Sequence, residues 1–395
     1  MMTLIQEKAP KSVKNVQLDM MCGKVVACDA SMAIYQFLIA TQTVGKMGVP
    51  GLQELRDAEG NLTGHLVGLF HRTIQFMEAG IKPVWVFDGK PPDLKSKELE
   101  KRKEQKQKAE EEKKKAEEEG DFERAKAMAG RSIKITPQMI EDAKKLVRLM
   151  GCPVIEAPGE AEAQCAVLCK MGLAFGTASE DMDSLTFGSS FLMRGFNSKK
   201  EPVTQIELKK LLEGFEMNMD EFIDLCIMCG CDYTHSIGGI GPIKAFNLIK
   251  EHGNIEAVLK ELKRLNEDPN KKQKFIIPDN FLYEESRELF KTPDAISDKA
   301  EIEPKLKWET PNHDEMRQFL ITEKGFTENK VESGIKKLGE CKNKVNQTRL
   351  DSFFKSGGST VSSTQTAKKG ATIKGGAKNF DKRRTQSMGG GRGKK

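Results

Sequence analysis

Long apolar runs, aromatic residues and histidines are scarce in this chain of 395 residues. Aromatic side chains make up 6% of it, and its five histidines do not cluster in the sequence. The longest apolar runs, such as 37–40, are far shorter than the roughly 20 residues that a membrane-spanning helix needs. The opening residues, MMTLIQEKAPKSVK, contain no apolar signal core. With 31% charged residues, the composition predicts a soluble protein without a membrane partner.

The cysteines do not indicate a disulfide framework or a zinc site. There are nine of them, an odd number that suits a reducing compartment. Cys226 and Cys229 form a Cys-x-x-Cys pair without a second pair, and Cys165 and Cys169 are four residues apart. Because both pairs lie in apolar segments, we predict that they are core residues and not metal ligands.

Positive charge is concentrated at the C-terminal end. Residues 356–395 hold ten Lys and Arg side chains and one acid, Asp381, whereas the whole chain carries +6. The rest of the chain is therefore close to neutral, which permits separate acidic and basic patches. Gly, Ser, Thr and Lys dominate the tail, so we predict that it is disordered.

Four short apolar segments rich in β-branched residues predict buried strands. These segments are 24–31, 82–89, 152–163 and 172–183. Helical patterns separate them, and such alternation predicts an α/β fold with a mostly parallel central sheet flanked by helices.

Changes in composition divide the chain into regions. Residues 91–132 are nearly all Lys, Glu, Arg and Ala, which favours helix but offers little apolar surface to pack on a core. We therefore predict a projecting helical arch there. The predicted regions are a core of residues 1–104 and 133–218, the arch at 91–132, a helical region at 219–338, a short peptide at 339–355 and the tail at 356–395.

Acidic residues follow each of the four predicted strands, and another follows the apolar segment that ends near residue 230. In a parallel α/β sheet the carboxyl ends of the strands share one edge, where ligands bind, so these acids are expected to converge. The seven are Asp29, Asp88, Glu160, Glu162, Asp181, Asp183 and Asp232. Any one of them alone reads equally well as a helix cap or turn former. Agreement among four strand ends favours a common site.

So many carboxylates share a small space only when cations neutralise them. Oxygen ligands prefer hard ions, so we predict two Mg²⁺ ions, with Mn²⁺ as a substitute. Two such ions, roughly 3.5–4 Å apart, activate water and stabilise the leaving oxygen in phosphodiester hydrolysis.

Six motifs occur in an order that resembles one family. They are CDASMAIYQFL, VFDGKPPDLKSKELEKR, APGEAEAQCA, SEDMDSLTFG, GCDYTHSIGGIGPIKA and QTRLDSFF. Over residues 16–354 the chain is similar to the eukaryotic flap endonuclease 1 family. The resemblance implies a PIN-like 5′ nuclease core with a helix-hairpin-helix-type region. It also implies cleavage of 5′ flaps in Okazaki fragment maturation and long-patch base excision repair, with 5′-to-3′ exonuclease and weaker gap endonuclease activity.

The resemblance also assigns roles to the acids and to two cations. It implies a first metal held by Asp29, Asp88, Glu160 and Glu162, and a second held by Asp181, Asp183 and Asp232. Lys95 and Arg102 match the family's catalytic basic pair. Seven residues are about two helical turns, so both would lie on one helix face and could grip a phosphate. A single Lys in such a charged segment is otherwise expected to be solvated.

Further residues match positions that contact DNA in the family. They are Tyr35, Gln42, Arg72, Glu160, Gly230, Asp232, Gly239, Gly241 and Lys244. Tyr35 would stack on a base, although without the resemblance it reads as a core residue. The Gly-rich turn at 236–245 would hold a phosphate of duplex DNA, with a K⁺ ion, or would simply be a tight helix connection.

The last motif, at 347–354, matches a peptide that binds a sliding clamp, proliferating cell nuclear antigen. Gln347, Leu350, Phe353 and Phe354 would enter a groove of the clamp, whereas the alternative is a terminal core helix. Two basic clusters at 368–369 and 382–384 resemble a bipartite nuclear import signal, although a basic tail can also bind DNA directly. The resemblance implies a monomer in the nucleus, including the nucleolus, and also in the mitochondrion.

The chain departs from the family at three places. It does not open with the family's Met-Gly-Ile, Gln42 replaces an Arg, and Ile243 replaces a basic residue. These changes keep open an alternative function, a clamp- and DNA-bound scaffold with reduced activity. A second alternative is a superfamily relative that acts on bubbles or four-way junctions, but the clamp motif favours the flap enzyme.

Overall fold

The computed structural model describes residues 1–43, 56–57, 60–196, 201–267 and 274–355, without the side chains of 42–43 and 342–355. The strands are β1 Val13–Val16, β2 Val25–Asp29, β3 Lys82–Phe87, β4 Val154–Glu156, β5 Gly176–Ala178, β6 Phe191–Arg194 and β7 Val203–Glu207. The helices are α1 Met2–Lys8, α2 Ala30–Thr43, α3 Gly64–Glu78, α4 Ser96–Glu118, α5 Phe122–Arg131, α6 Pro137–Leu149, α7 Ala161–Lys170, α8 Asp183–Thr186, α9 Leu208–Phe215, α10 Met219–Cys229, α11 Pro242–His252, α12 Ile255–Glu267, α13 Tyr283–Lys291, α14 Lys299–Ile302, α15 His313–Arg317 and α16 Glu328–Lys355. Short 3₁₀ turns lie at Pro10–Ser12, Leu18–Met21, Asp93–Lys95 and Glu303–Lys305, and a π-helical turn lies at Gln318–Glu323.

In the described part of the chain the strands form one seven-stranded sheet in the order β1-β7-β6-β5-β2-β3-β4. β6, β5, β2, β3 and β4 are parallel, whereas β7 is antiparallel to both β6 and β1. The predicted α/β fold with a mostly parallel sheet is therefore confirmed. The four predicted strands are β2, β3, β4 and β5, and they are contiguous in the sheet.

The central strands are apolar because helices cover both faces of the sheet, as is usual for parallel sheets. The four residues 84–87 of β3 are each at most 1% exposed. On one face α2, α3 and α6 contribute apolar side chains, including Phe70 and Phe76. A second cluster joins α1 to helices α9–α13 and contains Phe215 and Phe290. The packed helices thus hold the carboxyl ends of the strands, and the loops that follow them, in fixed positions.

The charged segment predicted as a helical arch contains α4 and α5. Within α4 the buried residues are two alanines, Ala109 and Ala116, and α5 buries Ala125 and Ala129. Small side chains let the two helices approach closely, and they are joined at Gly120, which has φ +73°. Asp121 caps α5 by accepting a hydrogen bond from the backbone N–H of Arg124 at 3.0 Å.

The chain divides into two compact units, residues 1–349 and residues 350–395. Of the second unit the structure describes only the helical backbone of 350–355, so the predicted tail lies outside the described residues. Among the residues that are described, no helix is both long and apolar enough to cross a membrane.

A buried ion-pair network holds the helices after the sheet together. Asp224 of α10 is 2% exposed and accepts hydrogen bonds from Arg287 of α13 at 2.7 and 2.9 Å. Its carboxylate also accepts the backbone N–H of Ile255 at 3.0 Å, and Arg287 pairs with Glu256 at 2.9 Å. One buried carboxylate therefore ties α10 to both α12 and α13.

We predict that Asp224→Ala lowers the free energy of unfolding by about 3 kcal/mol, because it leaves Arg287 half-paired and removes the side-chain acceptor of the buried Ile255 N–H. Urea denaturation followed by circular dichroism measures this loss. Asp314→Ala is the matched control, since the side chain of Asp314 is 95% exposed and should change little. Equal stability of both variants would contradict the prediction.

Candidate active site

The predicted acidic residues lie at the carboxyl ends of adjacent strands. Asp29 is the last residue of β2, and Asp88 directly follows β3. The turn after β4 leads into α7, whose N-cap is Glu160 and whose first turn contains Glu162. Asp181 follows β5, and α8 begins at Asp183. The sheet order places these strand ends side by side, as the sequence predicts.

Asp232 reaches the same place from the helical region. It follows α10 after Gly230, which has φ +106°, a conformation that favours glycine. Lys95 links Asp232 to the end of the sheet. The Nζ of Lys95 lies 3.0 Å from Asp232 Oδ2 and also pairs with Glu160 Oε1. The seventh acid therefore shares a cation with an acid that follows β4.

Backbone and hydroxyl donors fix the direction of the carboxylates. Asp29 accepts the N–H of Met32 at 3.0 Å and the hydroxyl of Ser179 at 2.9 Å. Asp88 accepts the N–H of Ala161, the first residue of α7, at 2.7 Å. These bonds hold the strand-end acids in place without removing their negative charge.

Gly89 allows the loops after β3 and β4 to meet. Its N–H donates to the carbonyl of Gly159 at 2.7 Å. A Cβ atom at Gly89 would lie 2.0 Å from the carbonyl oxygen of Ala157, too close for any other residue. The distance between Asp88 and Glu160 thus depends on a glycine.

Glu180 does not point into the site, although it belongs to the acid-rich run 180–183. Its carboxylate accepts the N–H of Gly195 at 2.7 Å and the Nε–H of Arg194 at 3.3 Å. It therefore attaches the loop after β5 to the end of β6, and the crowding in this run is reduced to Asp181 and Asp183.

Burial and mutual repulsion raise the pKa values of three of these acids. Burial, followed by the charge of Asp88, raises the pKa of Asp29 to about 7. Burial, followed by the charges of Asp181 and Asp232, raises the pKa of Asp183 to about 8. The pKa of Glu162 is raised for the same kinds of reason. The arrangement has too little positive charge, so it favours binding of cations.

Lys95 and Arg102, predicted from the family motif, lie against the acids. The Lys95 side chain is 12% exposed; burial alone would lower its pKa, but Glu162, Glu160 and Asp232 raise it above the usual value. Arg102 of α4 donates to Asp232 Oδ1 at 2.7 Å. These cations neutralise only part of the acidic charge.

The donor set fits divalent metal ions. In the described ranges, no three acidic, cysteine or histidine side chains already surround a common point. Glu160 and Asp232 are engaged by Lys95 and Arg102 instead. The available ligands are all carboxylate oxygens, which is the chemistry that hard ions such as Mg²⁺ prefer.

Six of the seven acids, all except Asp183, line a cavity of about 1050 Å³ that residues of α4 and α5 also line. Tyr35 of α2 lines it, and the Nζ of Lys106 lies 5.8 Å from the centre of the Tyr35 ring. Arg131 and Met128 of α5 complete the opposite side. The cavity thus combines an acidic floor, an aromatic ring and basic side chains, a set suited to a nucleic-acid strand.

The structure does not bring all the predicted DNA contacts to this cavity. Arg72 lies between the rings of Phe37 and Phe196, at 5.2 and 5.3 Å, and donates to the carbonyl of Phe196. Burial lowers the pKa of Arg72 to about 10. It borders a smaller cavity behind Asp29. A DNA contact by Arg72 stays a prediction.

The predicted hairpin is a separate part of the surface. Gly239 has φ +84°, and Gly241 is the N-cap of α11. Lys244 donates to the carbonyl of Gly239 at 3.1 Å. The side chains of Gln42, Gln347, Leu350, Phe353 and Phe354 lie outside the described part of the chain.

The sequence reasoning did not identify Tyr233. This residue is 2% exposed, its hydroxyl donates to Glu160 Oε2, and its ring lies 5.2 Å from that of Phe290. Its position next to Asp232 was the available signal, since a residue adjoining a metal ligand often orients a second one.

Comparisons with known proteins agree with this geometry. Two family models match, the XPG N-terminal domain over residues 1–109 and the XPG I-region over residues 151–232. The chain is 48% identical to flap endonuclease 1-2 of Paramecium tetraurelia over 357 residues, 90% of each protein. It is similar to the solved structure of flap endonuclease-1 from Methanococcus jannaschii, with 32% identity, a TM-score of 0.61, and coverage of 83% of this chain and 96% of that one. It is also similar to the catalytic core of Rad2 in complex with DNA substrate, with 26% identity, a TM-score of 0.62, and coverage of 85% and 99%.

We predict that the raised pKa of Asp183 makes the metal-free protein less stable as pH rises. The folded pKa of about 8 exceeds the usual 3.8, so between these values the folded state holds a proton that the unfolded state has lost. Asp183→Asn should therefore be more stable than the parent by more than about 1 kcal/mol at pH 8, and the gap should shrink toward pH 5.

Urea denaturation in a chelating buffer at several pH values measures this gap. Added Mg²⁺ should stabilise the parent and narrow the difference, because a ligand that binds only the folded state raises its stability. A gap that is constant with pH, or one that widens on acidification, would show that the repulsion does not act as described.

Proposed function

The chain belongs to the flap endonuclease 1 family, and on that basis we propose that it cleaves DNA endonucleolytically at the base of 5′ flaps. The observation that supports this best is the meeting of six of the seven carboxylates with Lys95 and Arg102 in the lining of one cavity. The same reaction would give 5′-to-3′ exonuclease and weaker gap endonuclease activity. The enzyme would act in Okazaki fragment maturation and in long-patch base excision repair.

The cofactor we propose is a pair of Mg²⁺ ions, for which Mn²⁺ can substitute. Asp29, Asp88, Glu160 and Glu162 would hold the first ion, and Asp181, Asp183 and Asp232 would hold the second. Such ions, when bound, make water a stronger nucleophile and stabilise negative charge on phosphate oxygens. The backbone bonds to Asp29 and Asp88 keep these ligands oriented before any ion binds.

Lys95 and Arg102 would have two successive partners. Without substrate they pair with Glu160 and Asp232. When a phosphodiester enters the cavity, its oxygens offer the two cations an alternative anion, and the cations would position it and stabilise charge in the transition state. Tyr35 would stack on a neighbouring base, and Lys106 lies over its ring.

The DNA would extend beyond the cavity to the hairpin at 236–245. Backbone groups of Gly239 and Gly241, together with Lys244, would hold a phosphate of the duplex, with a K⁺ ion at the same turn. Gly230, Arg72 and Gln42 are proposed as further contacts near the junction. Protection of these segments from hydrogen exchange on adding flap DNA tests this path.

Outside the described side chains, we propose that 347–354 bind a sliding clamp, proliferating cell nuclear antigen, and that the enzyme is a monomer. Loss of clamp binding in Phe353→Ala with unchanged flap cleavage would support this, and unchanged binding would reject it. We propose nuclear localisation, including the nucleolus, through the clusters at 368–369 and 382–384, and also a mitochondrial fraction, as the family resemblance implies. Imaging of a fluorescent fusion with these clusters neutralised tests the nuclear part.

The decisive experiment is cleavage of a labelled double-flap DNA with and without Mg²⁺. We expect incision at the flap base that requires the metal and falls at least about 100-fold in Asp181→Ala, while DNA binding is kept. Asp314→Ala should cleave like the parent, because Asp314 is exposed and is distant in sequence from the seven acids. DNA binding without any incision by the parent would favour the scaffold alternative instead.

A second prediction separates the two roles of Lys95. Lys95→Ala should lower kcat by about 100-fold, because a cation on the phosphate is lost. The same variant should bind Mn²⁺ at least about threefold more tightly in the absence of DNA, since no ammonium group then competes for Glu160 and Asp232. Isothermal titration calorimetry measures the affinity.

Lys97→Ala is the matched control, because Lys97 is an exposed lysine in the first turn of α4, two residues after Lys95. It should change neither kcat nor metal affinity. Weaker Mn²⁺ binding by Lys95→Ala would mean that Lys95 orients the acids for the metal and does not compete with it.

A further inference from the structure

Two large apolar side chains are exposed beside the hairpin at 236–245. In the described residues, five large hydrophobic side chains are exposed, and these include Ile243 at 55% and Ile276 at 72%. Ile243 lies in the first turn of α11, and Ile276 pairs with Gly238 of the hairpin. Exposed aliphatic side chains are common when they are single. Two that border one glycine-rich turn call for a functional explanation.

The backbone that carries Ile276 is held rigidly against the turn. The N–H of Gly238 donates to Ile276 O at 2.8 Å, and the N–H of Ile276 donates back to Gly238 O at 3.3 Å. A Cβ atom at Gly238 would lie 2.9 Å from the Cβ of Ile276, so this approach requires glycine. Ile276 is therefore presented to solvent from a fixed position.

Neighbouring side chains fix the same segment from the other side. The amide group of Asn266 both donates to the carbonyl of Phe275 and accepts its N–H, each at 2.8 Å. The Nζ of Lys244 lies 5.6 Å from the centre of the Phe275 ring and donates to Gly239 O at 3.1 Å. Because the surface is ordered before a partner arrives, binding to it costs little conformational entropy.

The charges around the two isoleucines select the kind of partner. Residues 236–245 and 274–278 contain two lysines, Lys244 and Lys274, and no acid. The first acid beyond these residues is Asp279, three positions from Ile276. An apolar surface with two lysines beside it complements a polymer in which apolar sugar faces alternate with phosphates. The surface is also continuous with the turn that we propose to hold duplex DNA.

We propose that Ile243 and Ile276 pack against deoxyribose groups of the duplex, next to the phosphate held by the hairpin. This inference rests on the proposed function and adds a second kind of contact to it. Contacts with phosphates weaken as the salt concentration rises, because the release of counterions from the DNA then gains less free energy. Apolar contacts do not depend on counterion release. The two isoleucines therefore supply a part of the DNA affinity that salt does not reduce.

The test is the dependence of DNA affinity on KCl concentration, measured by fluorescence anisotropy with flap DNA in a chelating buffer that prevents cleavage. Ile243→Ser and Ile276→Ser should each weaken binding by about three- to tenfold at every salt concentration. The slope of log Kd against log salt should not change. Lys244→Met should instead reduce that slope by about 1, and Ile243→Lys should increase it by about 1.

Met20→Ser is the matched control, because Met20 is 74% exposed but belongs to a different turn, and it should bind as the parent does. Thermal unfolding should be nearly the same for all serine variants, since the replaced side chains are exposed. Binding by both isoleucine variants equal to that of the parent would overturn the proposal. A changed slope of log Kd against log salt in the isoleucine variants would also overturn it. Loss of self-association in these variants with unchanged DNA affinity would overturn it too, and would identify a second copy of the chain as the partner.

The outcomes for this inference and for the proposed function are distinguishable. Metal-dependent flap cleavage by the parent, together with unchanged binding by the isoleucine variants, would reject the apolar contact and leave the function intact. Failure of the parent to bind flap DNA at all would reject both.

Discussion

Electrostatic repulsion among carboxylates at one edge of the sheet is the constraint on which the rest of this structure depends. Parallel strands deliver their acids to a single edge, and burial of Asp29 and Asp183 strengthens the repulsion by removing water. The fold tolerates it because the acids are oriented by backbone N–H groups and by Ser179, and because Glu180 is turned away to Arg194. The same stored repulsion is what gives the site its affinity for cations.

The arch is connected to this constraint through Lys95 and Arg102. Helix α4 has almost no apolar surface. Its position therefore depends on contacts between small side chains of α4 and α5, and on the ion pairs of Lys95, just before the helix, and of Arg102. Those ion pairs involve the acids that would bind metal and the cations that would bind phosphate. In the proposed function, metal binding, substrate binding and the position of the arch would therefore be coupled, because each would change which anion the two cations contact.

The sequence predicts the parts of the fold and site that depend on local pattern. β2 and β3 are continuous apolar runs, and the acids that follow them are predicted from the topology of parallel sheets. β1, β6 and β7 were not predicted. β1 and β7 are partly polar, and they form by pairing with each other across the chain, as Val13 does with Ile206. Their stability comes from a partner that a local pattern does not reveal.

Within the site, identity was predictable and direction was not. Nothing local distinguishes Glu180 from Asp181, since the difference arises from the N–H of Gly195 on another strand. The inward direction of Arg72 likewise depends on two aromatic rings distant in sequence. Lys95 and Arg102 came from the family resemblance alone, because lysine and arginine are ordinary surface residues in a segment of this composition.

The origin of the seventh acid adds a link between folding and activity. Six acids belong to loops of the sheet, but Asp232 follows α10, whose position is fixed by the Asp224–Arg287 pair and not by strand pairing. The proposed second metal ion would thus have ligands from both parts, Asp181 and Asp183 from the sheet and Asp232 from the helical region. The two parts must be packed together before that ion finds its full ligand set. Occupancy of the second site would then require that the helical region, with the hairpin proposed to contact the duplex, is in place on the sheet, so cleavage would be confined to the assembled enzyme.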